Sequence, residues 1–249
     1  AVIIGAYSLK VYDFRIKYTQ TADYMKGNEE NVTKGVVTYE EATNSNQTTA
    51  AVRSSYKRLD VECVLQNPEL PTGCEITSLT EVLNYLGYGI DKETLARNYL
   101  DMRDTVTQGC FVEYFWGSPW KTTGSGWFAP AIANAANSFL KSQNSSYSAY
   151  IMSYSPVEDL FTELSLGHPV IVWTSYNYND PDVKYNDVTL DDGTVFTWPR
   201  NEHCAALSGY DIDRGVVTLA DPTYGIVERS MEEFVTYYQK YYYQAVVVR

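Results

Sequence analysis

The sequence predicts an α+β fold, with helices in the first part of the main domain and a mostly antiparallel sheet later. Three observations carry that expectation. Behind Cys74, the residues Ile76, Leu79, Val82, Leu83 and Leu86 recur at helical spacing. Two further helical stretches follow at 128–140 and 156–166. After them come short apolar runs bounded by turn residues, at 169–173, 216–220 and 244–248, which read as strands.

Taken in order, residues 1–58 read as an N-terminal extension. Tyr12, Phe14, Ile16 and Tyr18 alternate with Asp13, Arg15 and Lys17, the period of a half-buried strand. A polar turn at 26–34 precedes a possible partner strand at 36–39, and 40–55 has linker composition. Such strands need a surface to bury against, which favours an extension packed on the main domain at 59–249 over an inhibitory segment. Thr72 and Glu75 have capping-box spacing, which places Thr72 at the N-cap and Cys74 at N2 of the first helix, and Gly87 supplies its stop. Asp91 caps a second helix with Leu95, Tyr99 and Met102 on one face. A last helix runs from Met231 to about residue 238.

Composition describes a globular chain and narrows its partners. Of 249 residues, 45% are hydrophobic and 20% charged, enough for a sizeable core. A net charge of −12 offers no basic stripe for phosphates and argues against nucleic acid and against anionic membrane surfaces. No apolar run approaches the ~18 residues of a membrane span. The start, Ala1-Val2-Ile3-Ile4-Gly5, lacks a basic n-region and reads as the beginning of a mature or truncated product. The absence of a C-x-x-C pair speaks against structural zinc, and the Asp residues at 180, 182, 187, 191 and 192 lack a calcium-loop register. No metal or cofactor is expected.

The chemistry points to Cys74. A thiol in the first turn of a helix faces unpaired N–H groups and the positive dipole end, which favour the thiolate and can hold an oxyanion. A lone helical Cys is more commonly a small buried hydrophobe, so the reading needs a base. Only His168 and His203 are available. His168 reads as a loop histidine at the mouth of a strand. His203 opens an apolar strand ending at Gly209, and a hairpin return through Asp213-Arg214-Gly215 brings Asp221 beside it as orienting acceptor. Gln66, eight residues before Cys74, is either an oxyanion donor or a polar loop residue. If Cys74 is the nucleophile, Cys63, Cys110 and Cys204 remain, which allows one disulfide and a free thiol or three buried thiols.

At these residues the chain resembles a family. Leu65-Gln66-Asn67-Pro68-Glu69-Leu70-Pro71-Thr72-Gly73-Cys74-Glu75 looks like the nucleophile motif of the bacteriocin-processing-peptidase-like (peptidase C39-like) branch of papain-like cysteine peptidases. Gly124-Ser125-Gly126-Trp127-Phe128-Ala129-Pro130, Gly167-His168-Pro169-Val170-Ile171-Val172-Trp173, Glu202-His203 and Asp221-Pro222 follow in the family's order, so the resemblance covers about 59–249. It implies a papain-like fold, Cys74 as nucleophile, His203 as base, Asp221 as orienter and Gln66 as oxyanion donor. His203 lies 129 positions beyond Cys74 (203 − 74), close to the roughly 130 such enzymes use. Two departures, Cys204 after the His and Glu113 where Gly is usual, leave the catalytic groups in place.

The aromatic loops at 109–128 and 174–201 are the expected walls of a substrate cleft, with Trp116, Trp127 and Trp173 as binding residues. The expected activity is hydrolysis of a peptide or amide bond in a peptide or protein, through a thioester, by a secreted or cell-surface bacterial enzyme. An acyl-transferase, a cell-wall amidase and a non-catalytic surface-binding module on the same fold are the alternatives.

Overall fold

The apolar spacing behind Cys74 becomes helix α1 (Cys74–Tyr85), buried at every position from Cys74 to Leu83. The computed structural model describes residues 54–104, 112–123, 126, 128–176, 178, 185–189 and 195–249. The strands expected at 12–18 and 36–39, together with Cys110, Phe111 and Trp127, lie outside the described residues. Helix α1 starts one residue later than its capping box predicts. The Thr72 hydroxyl donates to Lys121 O at 2.8 Å and Ser118 O at 3.3 Å instead of capping. Gly73 is the N-cap, so Cys74 is the first helical residue and not the second. The other end matches expectation: Gly87, at φ +92°, donates its N–H to Asn84 O and turns the chain out.

Helix α2 (Lys92–Tyr99) is capped by Asp91, whose carboxylate accepts from Thr94 N. It stops before Met102, because Leu100 is already extended. Met102 lies instead in β2 (Met102–Arg103), paired in parallel with β3 (Phe115–Trp116). Helix α3 (Ala129–Ser142) carries a proline in its first turn, where a missing N–H is harmless. Helix α4 (Val157–Leu166) ends on left-handed Gly167, and α5 (Met231–Lys240) is capped by Ser230.

Seven strands form the main sheet. They are β1 (Tyr56–Arg58), β4 (Ala149–Ile151), β5 (Val170–Ser175), β8 (Glu202–Asp211), β9 (Val216–Asp221), β10 (Gly225–Ser230) and β11 (Ala245–Val248). The order is β10-β9-β8-β5-β11-β4, with β1 also on β8, and every pairing is antiparallel. A separate hairpin joins β6 (Tyr185–Thr189) to β7 (Val195–Pro199). All six residues of β5 are buried, so both sheet faces are covered at its centre, with α1 and α5 among the packing elements. This is the α+β, papain-like arrangement: helix α1 packs on β8, and its first residue, Cys74, faces Glu202 and Cys204 at the start of that strand.

Strand β8 does not end at Gly209 but passes through it. The β5 pairing stops at Leu207 and β1 takes over from Gly209, and between these two residues the pairing of β8 with β9 shifts register. A side chain at Gly209 would place Cβ 2.8 Å from the Lys57 carbonyl oxygen. Gly209→Ala therefore has to push β1 off its partner. A loss of about 1–3 kcal/mol is expected by urea denaturation, and an unchanged midpoint would mean that β1 yields freely.

Candidate active site

Two adjacent strands and one helix end build the site. His203 is the second residue of β8 and Asp221 the last of β9. The β8–β9 hairpin closes through a turn in which Arg214 N donates to the Asp211 carboxylate. His203 Nε2 donates to Asp221 Oδ1 at 2.8 Å, with both side chains 1% exposed. Thr223 N and Tyr224 N donate to the same oxygen at 2.8 and 3.2 Å. Burial opposes ionisation of Asp221, but the His203 hydrogen bond and these N–H groups outweigh it and hold the carboxyl below its ordinary 3.8. Asp221 therefore contributes stability above pH 3.8 that is lost as pH falls through its depressed folded value. With Nε2 engaged as donor, the ring's Nδ1 is left as its proton acceptor.

Cys74 sits at the tip of α1, 8% exposed. Its Sγ donates to Glu75 Oε2 at 3.3 Å, and that is its hydrogen bond among the described residues. Cys74 also faces Glu202 and Cys204, the two neighbours of His203 along β8. The sequence expectation of a lowered thiol pKa is overturned here. Burial pushes the thiol well above its ordinary 9.0, and Glu75, Glu202 and Cys204 push it the same way. A helix dipole is worth about 0.3–1 kcal/mol, less than the cost of burying a thiolate against carboxyl groups.

Gln66 lies 3% exposed between the two halves of the site. Its backbone N–H donates to Pro222 O, next to Asp221, and its Nε2 donates to Pro71 O, both at 2.8 Å. Its Oε1 is buried without a partner. Lys92 Nζ holds the Gln66 carbonyl at 3.0 Å and the Glu69 carboxylate at 2.8 Å, which fixes the turn carrying the amide. One Nε2 proton goes to Pro71 O, which leaves the second for another acceptor.

Several site residues escaped the sequence reading. Glu75 was assigned to a cap and Glu202 to a motif, yet both reach the thiol. With Cys74 they are the trio, among the described residues, whose possible ligand atoms lie within 4.8 Å of one another. Glu202 has one buried oxygen without a partner, and burial followed by the charge of Glu75 holds its carboxyl well above the ordinary 4.5. Gly126, at φ +61°, lies over this pair so closely that a Cβ would collide with Glu75 and Glu202. Glu81 is a second buried acid. Its Oε1 accepts from Val64 N at 2.9 Å, burial raises its pKa, and it lies beside Cys63 and Asp221.

The expected cleft walls fare unevenly. Trp173 is 0% exposed in the middle of β5 and cannot line a cleft, because its ring is core packing on a fully buried strand. Trp116 is half-buried, and its Nε1 donates to Asp104 O. His168 is not a free loop residue: its Nδ1 pairs with Glu163 at 2.8 Å. Cys63, Cys74 and Cys204 are free thiols.

The sequence model described as the Peptidase_C39 like family matches residues 58–246. The uncharacterized protein YvpB of Bacillus subtilis (strain 168) is 29% identical over 228 residues, covering 88% of this chain and 86% of that protein. The crystal structure of a C39-like peptidase from Bacillus anthracis superposes with a TM-score of 0.67 at 27% identity, covering 78% of this chain and 97% of the other. Family and fold are those of cysteine peptidases, and no described helix is long and apolar enough to cross a membrane.

Proposed function

The chain belongs to the Peptidase_C39 like family, and we propose that it is a cysteine hydrolase that cleaves a peptide or amide bond with Cys74, His203, Asp221 and Gln66. The observation that carries this reading is the buried His203–Asp221 pair, which fixes the imidazole with Nδ1 as acceptor on the strand that α1 meets with its N-terminus.

In the resting state the thiol is neutral and bonded to Glu75. Turning the sulfur from Glu75 toward Nδ1 lets His203 take its proton as the sulfur attacks the carbonyl carbon. Asp221 steadies the imidazolium that forms. The oxyanion is received by the Cys74 N–H and the free Nε2 proton of Gln66. His203 then returns the proton to the leaving amine, the thioester remains on Sγ, and water hydrolyses it with His203 again as base. On this reading the domain of 59–249 carries the whole reaction and 1–58 is an extension of it. The substrate is a peptide or protein, and the location is secreted or at the cell surface.

Intact-mass measurement during turnover tests the mechanism: a mass increase equal to the acyl half of the substrate, mapped to Cys74, is expected. Turnover without any adduct under rapid quench, even with activated esters that make thioester hydrolysis the slow step, would point to another route. Asp221→Asn is expected to lower kcat by about 10²-fold, since it loosens ring orientation while the nucleophile stays. A normal rate would assign the orienting role elsewhere. Added amine acceptors separate hydrolysis from acyl transfer by the product formed.

A further inference from the structure

We propose that Tyr176 and Tyr224 form the subsite for the first residue on the leaving-amine side of the scissile bond, and that it accepts aromatic or branched apolar side chains and disfavours cationic ones. The proposal rests on the cysteine-hydrolase reading and names part of its substrate class.

The imidazole that protonates the leaving amine must lie against it, so the groups flanking that ring touch the leaving segment. Tyr176 stands edge-on to His203, with ring centroids 5.3 Å apart at 81°. Tyr224 meets Tyr176 at 5.7 Å and 51°. The three rings form one continuous wall, yet their exposure differs sharply. His203 is 1% exposed, whereas Tyr176 and Tyr224 are 43% and 49% exposed.

These two rings are held on fixed backbone. Tyr176 N donates to Asn201 O at 2.7 Å, just past the end of β5. Tyr224 N donates at 3.2 Å to Asp221 Oδ1, the oxygen that also holds His203, and its hydroxyl donates to Tyr176 O at 3.4 Å. The shelf therefore keeps register with the catalytic carboxylate. Aromatic surface fixed in place and left wet beside a reacting centre is what a binding subsite presents before its ligand arrives, since little ordering entropy remains to be lost. Behind it, the Arg229 guanidinium carbon lies 5.7 Å from the Tyr224 ring and 4.7 Å from the Tyr178 ring. That positive charge repels a Lys or Arg side chain on the shelf.

The test uses the full chain and peptides sharing one acyl half but carrying Phe, Leu, Ala or Lys as the first leaving residue, beside the methyl ester of the same acyl half. The wild type is expected to favour Phe over Ala by about tenfold in kcat/KM, with Lys poorest. In the Tyr176→Ala, Tyr224→Ala double variant the Phe-to-Ala ratio should fall to about one, whatever happens to absolute rates. Removing one of the two phenol hydroxyls, as in Tyr224→Phe, should preserve the ratio. A wild type that turns over the ester but ranks the peptides without regard to the leaving residue overturns the subsite alone. So does a double variant that retains the Phe preference. A wild type with no Cys74-dependent turnover of ester or peptide overturns the hydrolase reading, and the subsite with it.

Discussion

Cys74→Ala is expected to lower turnover by at least about 10³-fold while the chain keeps its fold. The loss follows from the reaction: no other described nucleophile lies at the tip of α1, and Ala offers nothing for His203 to deprotonate. Retention of the fold follows from the local packing. Position 74 is the first residue of α1, where alanine is accepted without strain, and the substitution gives up the thiol's bond to Glu75. Removing one sulfur from a site 8% exposed costs about 1 kcal/mol. Circular dichroism and thermal melting close to wild type, with peptidase activity gone, would agree with the assignment. Full activity would place the nucleophile elsewhere, and a collapsed melt would make Cys74 a core residue first. The variant should still bind peptide, since Gln66, Tyr176 and Tyr224 are untouched, which makes it suitable for trapping a substrate.

Local signals in the chain specify some elements, and distant partners decide others. Helices α1, α3 and α4 announce themselves through apolar spacing and their ends, because Gly87 and Gly167 stop a helix by local backbone geometry alone. Trp173 and the Thr72 cap were misread for a common reason. Whether a tryptophan walls a cleft or fills a core, and whether a hydroxyl caps its own helix or a distant carbonyl, depends on partners far along the sequence. The Thr72 partners are 46 and 49 residues away. Glu75 and Glu202 were hidden in the same way. Each stands next to a residue chosen for its chemistry, but the two are 127 positions apart (202 − 75) and meet only because α1 docks on the start of β8. His203 and its two neighbours act on different partners: the ring bonds to Asp221, while Glu202 and Cys204 act on the thiol.

Glu202 is accordingly a residue whose replacement is expected to change the thiol without touching the chemistry. In Glu202→Gln a neutral isostere replaces a carboxyl that burial and Glu75 both penalise when charged. The amide can also donate toward the neighbouring carboxylate, where Glu202 now leaves an oxygen unpartnered. The stability gain has a defined pH window. Below 4.5 the wild-type carboxyl is protonated in folded and unfolded chains alike, and the substitution gains little. As pH rises from 4.5 through the raised folded value, the unfolded chain releases the proton first and wild-type stability falls. The variant should therefore melt about 3–6 °C above wild type at neutral pH, a gain of about 1–2 kcal/mol, and no higher near pH 4. The thiol should respond too, because Glu202 is one of the groups holding Cys74 in its protonated form. Iodoacetamide labels thiolate only, so wild-type Cys74 is expected to react slowly at mildly acidic pH, and the variant should reach the same rate at lower pH. A pH–rate profile of alkylation that is superimposable in the two proteins would mean that the Glu202 carboxyl does not act on the sulfur, and that the resting thiol is held back by burial and Glu75 alone.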